Sequence, residues 1–148
     1  MHLTQILAIL GATLTAAQSD EQQRTQLHIG TIEGCGTNMR GPNWFVWFDN
    51  QSPCSGIDLG LVNSYTDYGL CDVTAQIPGQ PQVTFEGCAR RPDIMSHAGP
   101  PAVAMLQNGP VLACRAVNEE NFVCPSPCDS NAMVTVTRNY ICAEMGGQ

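Results

Sequence analysis

The sequence predicts an all-β fold: a single-domain antiparallel β-sandwich or small β-barrel stapled by disulfides. Three observations point there. Seven or eight short apolar runs alternate with period two at spacings of about 8–15 residues. Gly/Pro/Asn clusters separate them, and no stretch carries the apolar period of a three-turn helix. Eight cysteines, Cys35, Cys54, Cys71, Cys88, Cys114, Cys124, Cys128 and Cys142, spread over the last three quarters of the chain. An even count of that density reads as a disulfide framework.

The elements follow in order. Leu27, Ile29 and Thr31 alternate with His28 and Ile32 as a first strand, broken by Gly34-Cys35-Gly36 and Gly41-Pro42. The run from Trp44 to Phe48 is the most aromatic segment. As a strand it puts Trp44, Val46 and Phe48 on one face and Phe45 and Trp47 on the other. With two opposed aromatic faces, Trp44 is expected in the core and Trp47 at the surface. Asn50-Gln51-Ser52 is an N-glycosylation acceptor with Pro53 directly behind it. Ile57, Leu59 and Leu61 alternate as a further strand, and Leu70 to Gln76 alternates again around Cys71 and Val73. Pro78-Gly79-Gln80-Pro81 is a turn, after which Val83 and Phe85 lead into Cys88. Strand, turn and strand with a cysteine at each open end favour a Cys71–Cys88 bridge.

Residues 89–101 read as a long surface loop, and Ala102 to Leu106 as either one helical turn or a weak strand. A strand resumes over Val111 to Val117. Asn118-Glu119-Glu120-Asn121 reads as a polar loop tip, so a Cys114–Cys124 bridge would close a short hairpin worth roughly 2–3 kcal/mol in the chain-entropy model. Pro125 and Pro127 flank Ser126 in a turn. The clearest strand runs from Ala132 to Tyr140, with Val134 and Val136 toward the core and Thr135 and Thr137 toward solvent or a partner strand. Eight cysteines allow 105 pairings, and spacing alone does not choose among them.

Residues 1–17 have the pattern of a secretory signal peptide, with apolar Ile6–Leu10 and Ala12–Leu14 and small residues up to Ala17. Cleavage there leaves residues 18–148 as one secreted disulfide-rich β domain of 131 residues, enough for a single core. Export also places the cysteines in an oxidising compartment. The net charge is −7, there is no lysine, and the six arginines are scattered apart from Arg90-Arg91. Without a basic patch to neutralise phosphates, nucleic acid and anionic membrane surfaces are disfavoured as partners. No segment predicts membrane insertion.

Candidate chemistry is sparse. Beyond the leader lie two histidines, His28 and His97; His97 shares a loop with Asp93, a faint acid/base pair for a small hydrolase. No G-x-S-x-G elbow places a serine nucleophile. Cys124-Pro125-Ser126-Pro127-Cys128 has three intervening residues, one more than a redox C-x-x-C, and export argues for bridged thiols over a zinc site. Glu119-Glu120 point apart on a strand or loop, and Asp58, Asp67 and Asp72 sit at turns and strand ends where acids are common; nothing selects a glycosidase or nuclease pair among them. These readings give no catalytic residue, no metal and no cofactor: a protein that is not an enzyme. Trp47, Tyr65 and Tyr68 form the possible ligand face, where aromatic rings would stack on sugars.

One stretch carries a family resemblance. Cys114-Arg115-Ala116, then Asn121-Phe122-Val123-Cys124, then Ala132 to Thr137 resembles the C-terminal part of the Alternaria major allergen family, small secreted fungal β-barrel proteins whose relatives act as elicitors or effectors in plants. The match covers roughly thirty residues. It implies bridges Cys71–Cys88 and Cys114–Cys124 and a β-barrel without a catalytic centre. Cys54, Cys128 and Cys142 have no counterpart there, and the segment from Ala89 to Pro110 is shorter. Pairing the remaining four cysteines inside the chain is the more economical reading, and Cys35–Cys54 with Cys128–Cys142 is one of the three ways to do it. The broad expectation is a small cysteine-rich secreted fungal effector or elicitor. It would bind a host protein or cell-wall glycan in the apoplast and modulate plant immunity, a virulence role in a plant-pathogen interaction. The alternatives are a glycan-binding or structural cell-wall protein and a small secreted hydrolase.

Overall fold

A computed structural model of the chain describes residues 25–32, 42–61, 69–88, 100–126 and 129–145. They form one antiparallel sheet of eight strands, curled into a nearly closed barrel. In chain order the strands are β1 (Gln26–Ile32), β2 (Asn43–Phe48), β3 (Ile57–Leu61), β4 (Thr74–Ala75), β5 (Val83–Glu86), β6 (Val103–Leu106), β7 (Val111–Pro125) and β8 (Met133–Glu144). Across the sheet they lie in the order β3-β2-β1-β8-β7-β6-β5-β4. The all-β expectation therefore holds, and Ala102–Leu106 resolves as strand.

The aromatic strand β2 shows why the barrel has two cores. Trp44, Val46 and Phe48 point inward and join Leu27, Ile29, Leu70, Ile77, Val83, Phe85, Leu106 and Leu112 in an inner cluster fed by all parts of the sheet. Phe45 and Trp47 point outward and join Ile32, Cys124, Val134 and Val136 in an outer cluster, with Phe122 packed against it. Each fully buried large apolar side chain contributes roughly 1.5–3 kcal/mol.

A bulge makes the outer cluster possible. Going down β8, Cys142 and Tyr140 pair with Leu27 and Ile29, but the next register pair is Arg138 with Gly30, so Asn139 is an extra residue. Side chains alternate with period two, so one inserted residue exchanges the faces of everything beyond it. Cys142 therefore lies in the inner cluster while Val136 and Val134, of the same parity, lie in the outer one. The partner strand β7 shifts at the same level, between Ala116 and Glu120.

Two expectations for local structure are corrected. Asn118–Asn121 is not a loop tip: β7 is a single strand of 15 residues that passes through it with the bulge. Leu70 to Gln76 is not one strand. Gly69–Asp72 is a 3-10 turn, and only Thr74–Ala75 extend, pairing with Thr84 and Val83. The Ile77–Gln80 turn is closed by Gln80 N–H donating to the Ile77 carbonyl at 3.0 Å. Pro78 follows Ile77, and Gly79 takes the positive φ of 73° that the third position of a type II turn requires.

Candidate functional site

The outer cluster and the far half of the β7–β8 hairpin are the most distinctive region of the molecule. The cluster is bound from both sides. Cys54, in the 3-10 turn Pro53–Ser55 that follows β2, is disulfide-bonded to Cys124 near the end of β7. That turn is shaped by Ser52, whose hydroxyl accepts from Cys54 N–H at 3.2 Å. The hairpin is thereby tied across the outer face of β1 and β2.

Beneath this clamp lies a histidine that alternation alone gave no role. His28 is 4% exposed. Its Nε2 lies 3.0 Å from Asp49 Oδ1, placed to donate to the carboxylate, and in the neutral ring that makes that bond Nδ1 is the unprotonated nitrogen. The imidazole stacks on Trp47 with centroids 5.3 Å apart and planes 17° from parallel. Trp47 in turn meets Phe122 edge-on at 6.1 Å. Burial outweighs the pull of the Asp49 carboxylate and holds the His28 pKa below its ordinary 6.5. Nδ1 is buried and has no hydrogen-bond partner among the described residues. With Nε2 engaged by Asp49 and Nδ1 buried, the ring presents no free nitrogen at the surface.

The opposite face of the same hairpin looks outward. Val123 is paired with Thr135 and Pro125 with Met133, so all four share that face. Val123 and Met133 are 68% and 61% exposed. Thr137 Oγ1 donates to Asn121 Oδ1 at 2.8 Å along the same row. On the side of the outer cluster, Arg138 and Glu120 form an ion pair between β8 and β7.

The cysteine framework corrects the sequence reading. The structure joins Cys71 to Cys88 at the open ends of the β4–β5 hairpin. It does not join Cys114 to Cys124. Those two lie on one strand ten residues apart, about 33 Å at the usual rise, where a bridge needs Cα atoms within about 7 Å. Instead Cys114 bonds to Cys142, its direct register partner on β8. Cys124 bonds to Cys54 across 70 residues. The pairs Cys35–Cys54 and Cys128–Cys142 are thereby excluded, since Cys54 and Cys142 have other partners. Cys35 and Cys128 lie outside the described residues. No described cysteine is free.

The proposed ligand face is also corrected. Trp47 is 2% exposed, because the hairpin covers the outer side of β2, so it is not a surface platform for a sugar. Tyr65 and Tyr68 lie outside the described residues, as do His97 and Asp93. Asp58 is engaged locally, accepting from Asn43 Nδ2 at 2.7 Å and from Gly60 N–H at 2.8 Å. Asn50 is exposed in the turn after β2, where its Oδ1 accepts from Gln80 Nε2 at 3.2 Å. Among the described residues no three or more His, Cys, Asp or Glu side chains are grouped as a metal site.

The three disulfides among the described residues fit an extracellular compartment. No helix among the described residues is long and apolar enough to cross a membrane. No protein-family model, curated protein or solved structure matches the chain.

Proposed function

We propose that this is a secreted, cysteine-rich protein of the fungal effector or elicitor type, one that works by docking on a host component outside the plant cell and not by turnover. The observation that carries the reading is the clamped β7–β8 hairpin. Its inner face is sealed by the outer cluster and the Cys54–Cys124 bridge, while its other face holds Val123, Pro125 and Met133 in solvent. Adjacent apolar side chains on a pre-organised ribbon can bind with little loss of chain entropy. The resemblance of the Cys114–Thr137 stretch supplies the fungal and plant context, and residues 1–17 supply the route of export.

The test is infiltration of the purified, disulfide-bonded protein into leaves of several candidate hosts, beside a Val123→Asp/Met133→Asp variant. The proposal expects a defence response, or suppression of one, from the native protein and its loss in the variant. No effect of either kind in any host would count against the reading. Equal activity of the two proteins would remove the hairpin face from it.

A further inference from the structure

We propose that His28 is an acid-operated latch: charging its ring loosens the far half of the β7–β8 hairpin and the 49–54 connection from the outer face of the barrel, while the inner core stays formed. The inference is independent of which partner the protein binds.

The argument starts from what His28 touches. Its ring links three strands, through β1 itself, the stacked Trp47 of β2 and, beyond it, Phe122 of β7. Nε2 is committed to Asp49, the residue that follows β2. As a neutral ring, His28 leaves one buried lone pair unpaired at Nδ1 and brings no charge into the site. A second proton makes Nδ1 a buried donor with no acceptor among the described residues.

Among the described residues, three charged groups act on the ring. Asp49 from the connection after β2 and Glu120 from β7 favour the cation; Arg138 from β8 opposes it. Burial exceeds their balance, so the folded protein takes up this proton below pH 6.5, the value for an unrestrained histidine. The sign follows from linkage. Between the folded value and 6.5 the unfolded or opened state binds more protons, so stability is full above about pH 6.5 and declines as the pH falls through that window.

The response is local because the two clusters differ. The inner cluster contains no acid, histidine or arginine and has nothing to titrate in this range. The Cys54–Cys124 bridge limits how far the hairpin can lift, so opening is a loosening and not a separation.

The experiment uses the native protein with its disulfides intact. NMR follows the His28 ring through pH 7.5 to 4, and hydrogen-exchange protection factors are measured alongside. The latch predicts a His28 midpoint below 6.5. It also predicts about a tenfold or greater loss of protection at Phe122, Val134 and Val136 over the same pH range. Protection in β5 and β6 should not change. His28→Gln and His28→Phe should hold their protection through that range. A midpoint at or above 6.5, or undiminished protection once His28 is charged, would overturn the proposal from the native protein alone, whether or not the variants fold. So would an equal loss of protection in a folded variant.

Discussion

Gly30 of β1 lies directly against the backbone of Thr137 in β8: a Cβ on Gly30 would stand 2.1 Å from the Thr137 carbonyl oxygen. The contact falls where β8 gains its extra residue, between the Ile29–Tyr140 and Gly30–Arg138 pairs. The bulge beside this contact divides the side chains of β8 between two cores.

Gly30→Ala should therefore be among the costliest small substitutions in the sheet. The nearest atoms are backbone and cannot rotate away, so the strands must shift. Urea unfolding should show a loss of roughly 2–3 kcal/mol or more. A change within about 0.5 kcal/mol would mean that β1 and β8 do not approach in this way.

Trp47→Ala separates a core residue from a ligand platform. Trp47 is enclosed between His28, Phe45 and Phe122. Its removal should destabilise the fold by about 3–5 kcal/mol in denaturant unfolding. A sugar-stacking Trp47 would instead leave stability near that of the native protein.

The bridges should differ in weight. Cys54–Cys124 spans 70 residues and Cys71–Cys88 spans 17. Chain entropy assigns them about 4 and about 3 kcal/mol, and Cys124 is buried besides. Thermal unfolding should show a larger fall in Tm for Cys54→Ala/Cys124→Ala than for Cys71→Ala/Cys88→Ala. The reverse order would contradict the clamp.

Glu120→Gln, by contrast, should do little. Its carboxylate is about half exposed beside Arg138, so the ion pair is largely screened. The expected loss is under about 1 kcal/mol and shrinks further at high salt, as read from unfolding midpoints in low and high sodium chloride.

Period two was enough to read β1, β2, β3 and β5 and to divide Trp44, Val46 and Phe48 from Phe45 and Trp47. Local alternation carries that information. It does not carry what covers a face, so the sequence left Trp47 exposed when a hairpin nearly eighty residues later lies over it. The same limit explains the cysteines. Cys71 and Cys88 flank a turn marked by Pro78-Gly79, and such a short-range pair is legible. Cys54–Cys124 depends on how β7 crosses the barrel, and Cys114–Cys142 on the β7–β8 register, neither of which is written in spacing. Reading Asn118–Asn121 as a loop tip followed from its polarity. In the fold those residues sit in an exposed bulge of a continuous strand, where polar side chains are equally suited. His28 was legible as a strand residue but not as a buried partner of Asp49, because that pairing needs the β1–β2 register.

The clamp on which the outer cluster, the hairpin face and the latch all depend is tested most directly by mapping the disulfides of the purified protein without reduction. Trypsin separates Cys114 from Cys124 at Arg115, and a second protease with aromatic specificity separates the other sites except Cys124 and Cys128, which share one peptide and are told apart by fragmenting the linked peptide at Pro125 and Pro127. The fold predicts linked peptides joining Cys54 to Cys124, Cys71 to Cys88 and Cys114 to Cys142. A peptide joining Cys114 to Cys124, or a free thiol at Cys54 or Cys124, would contradict it.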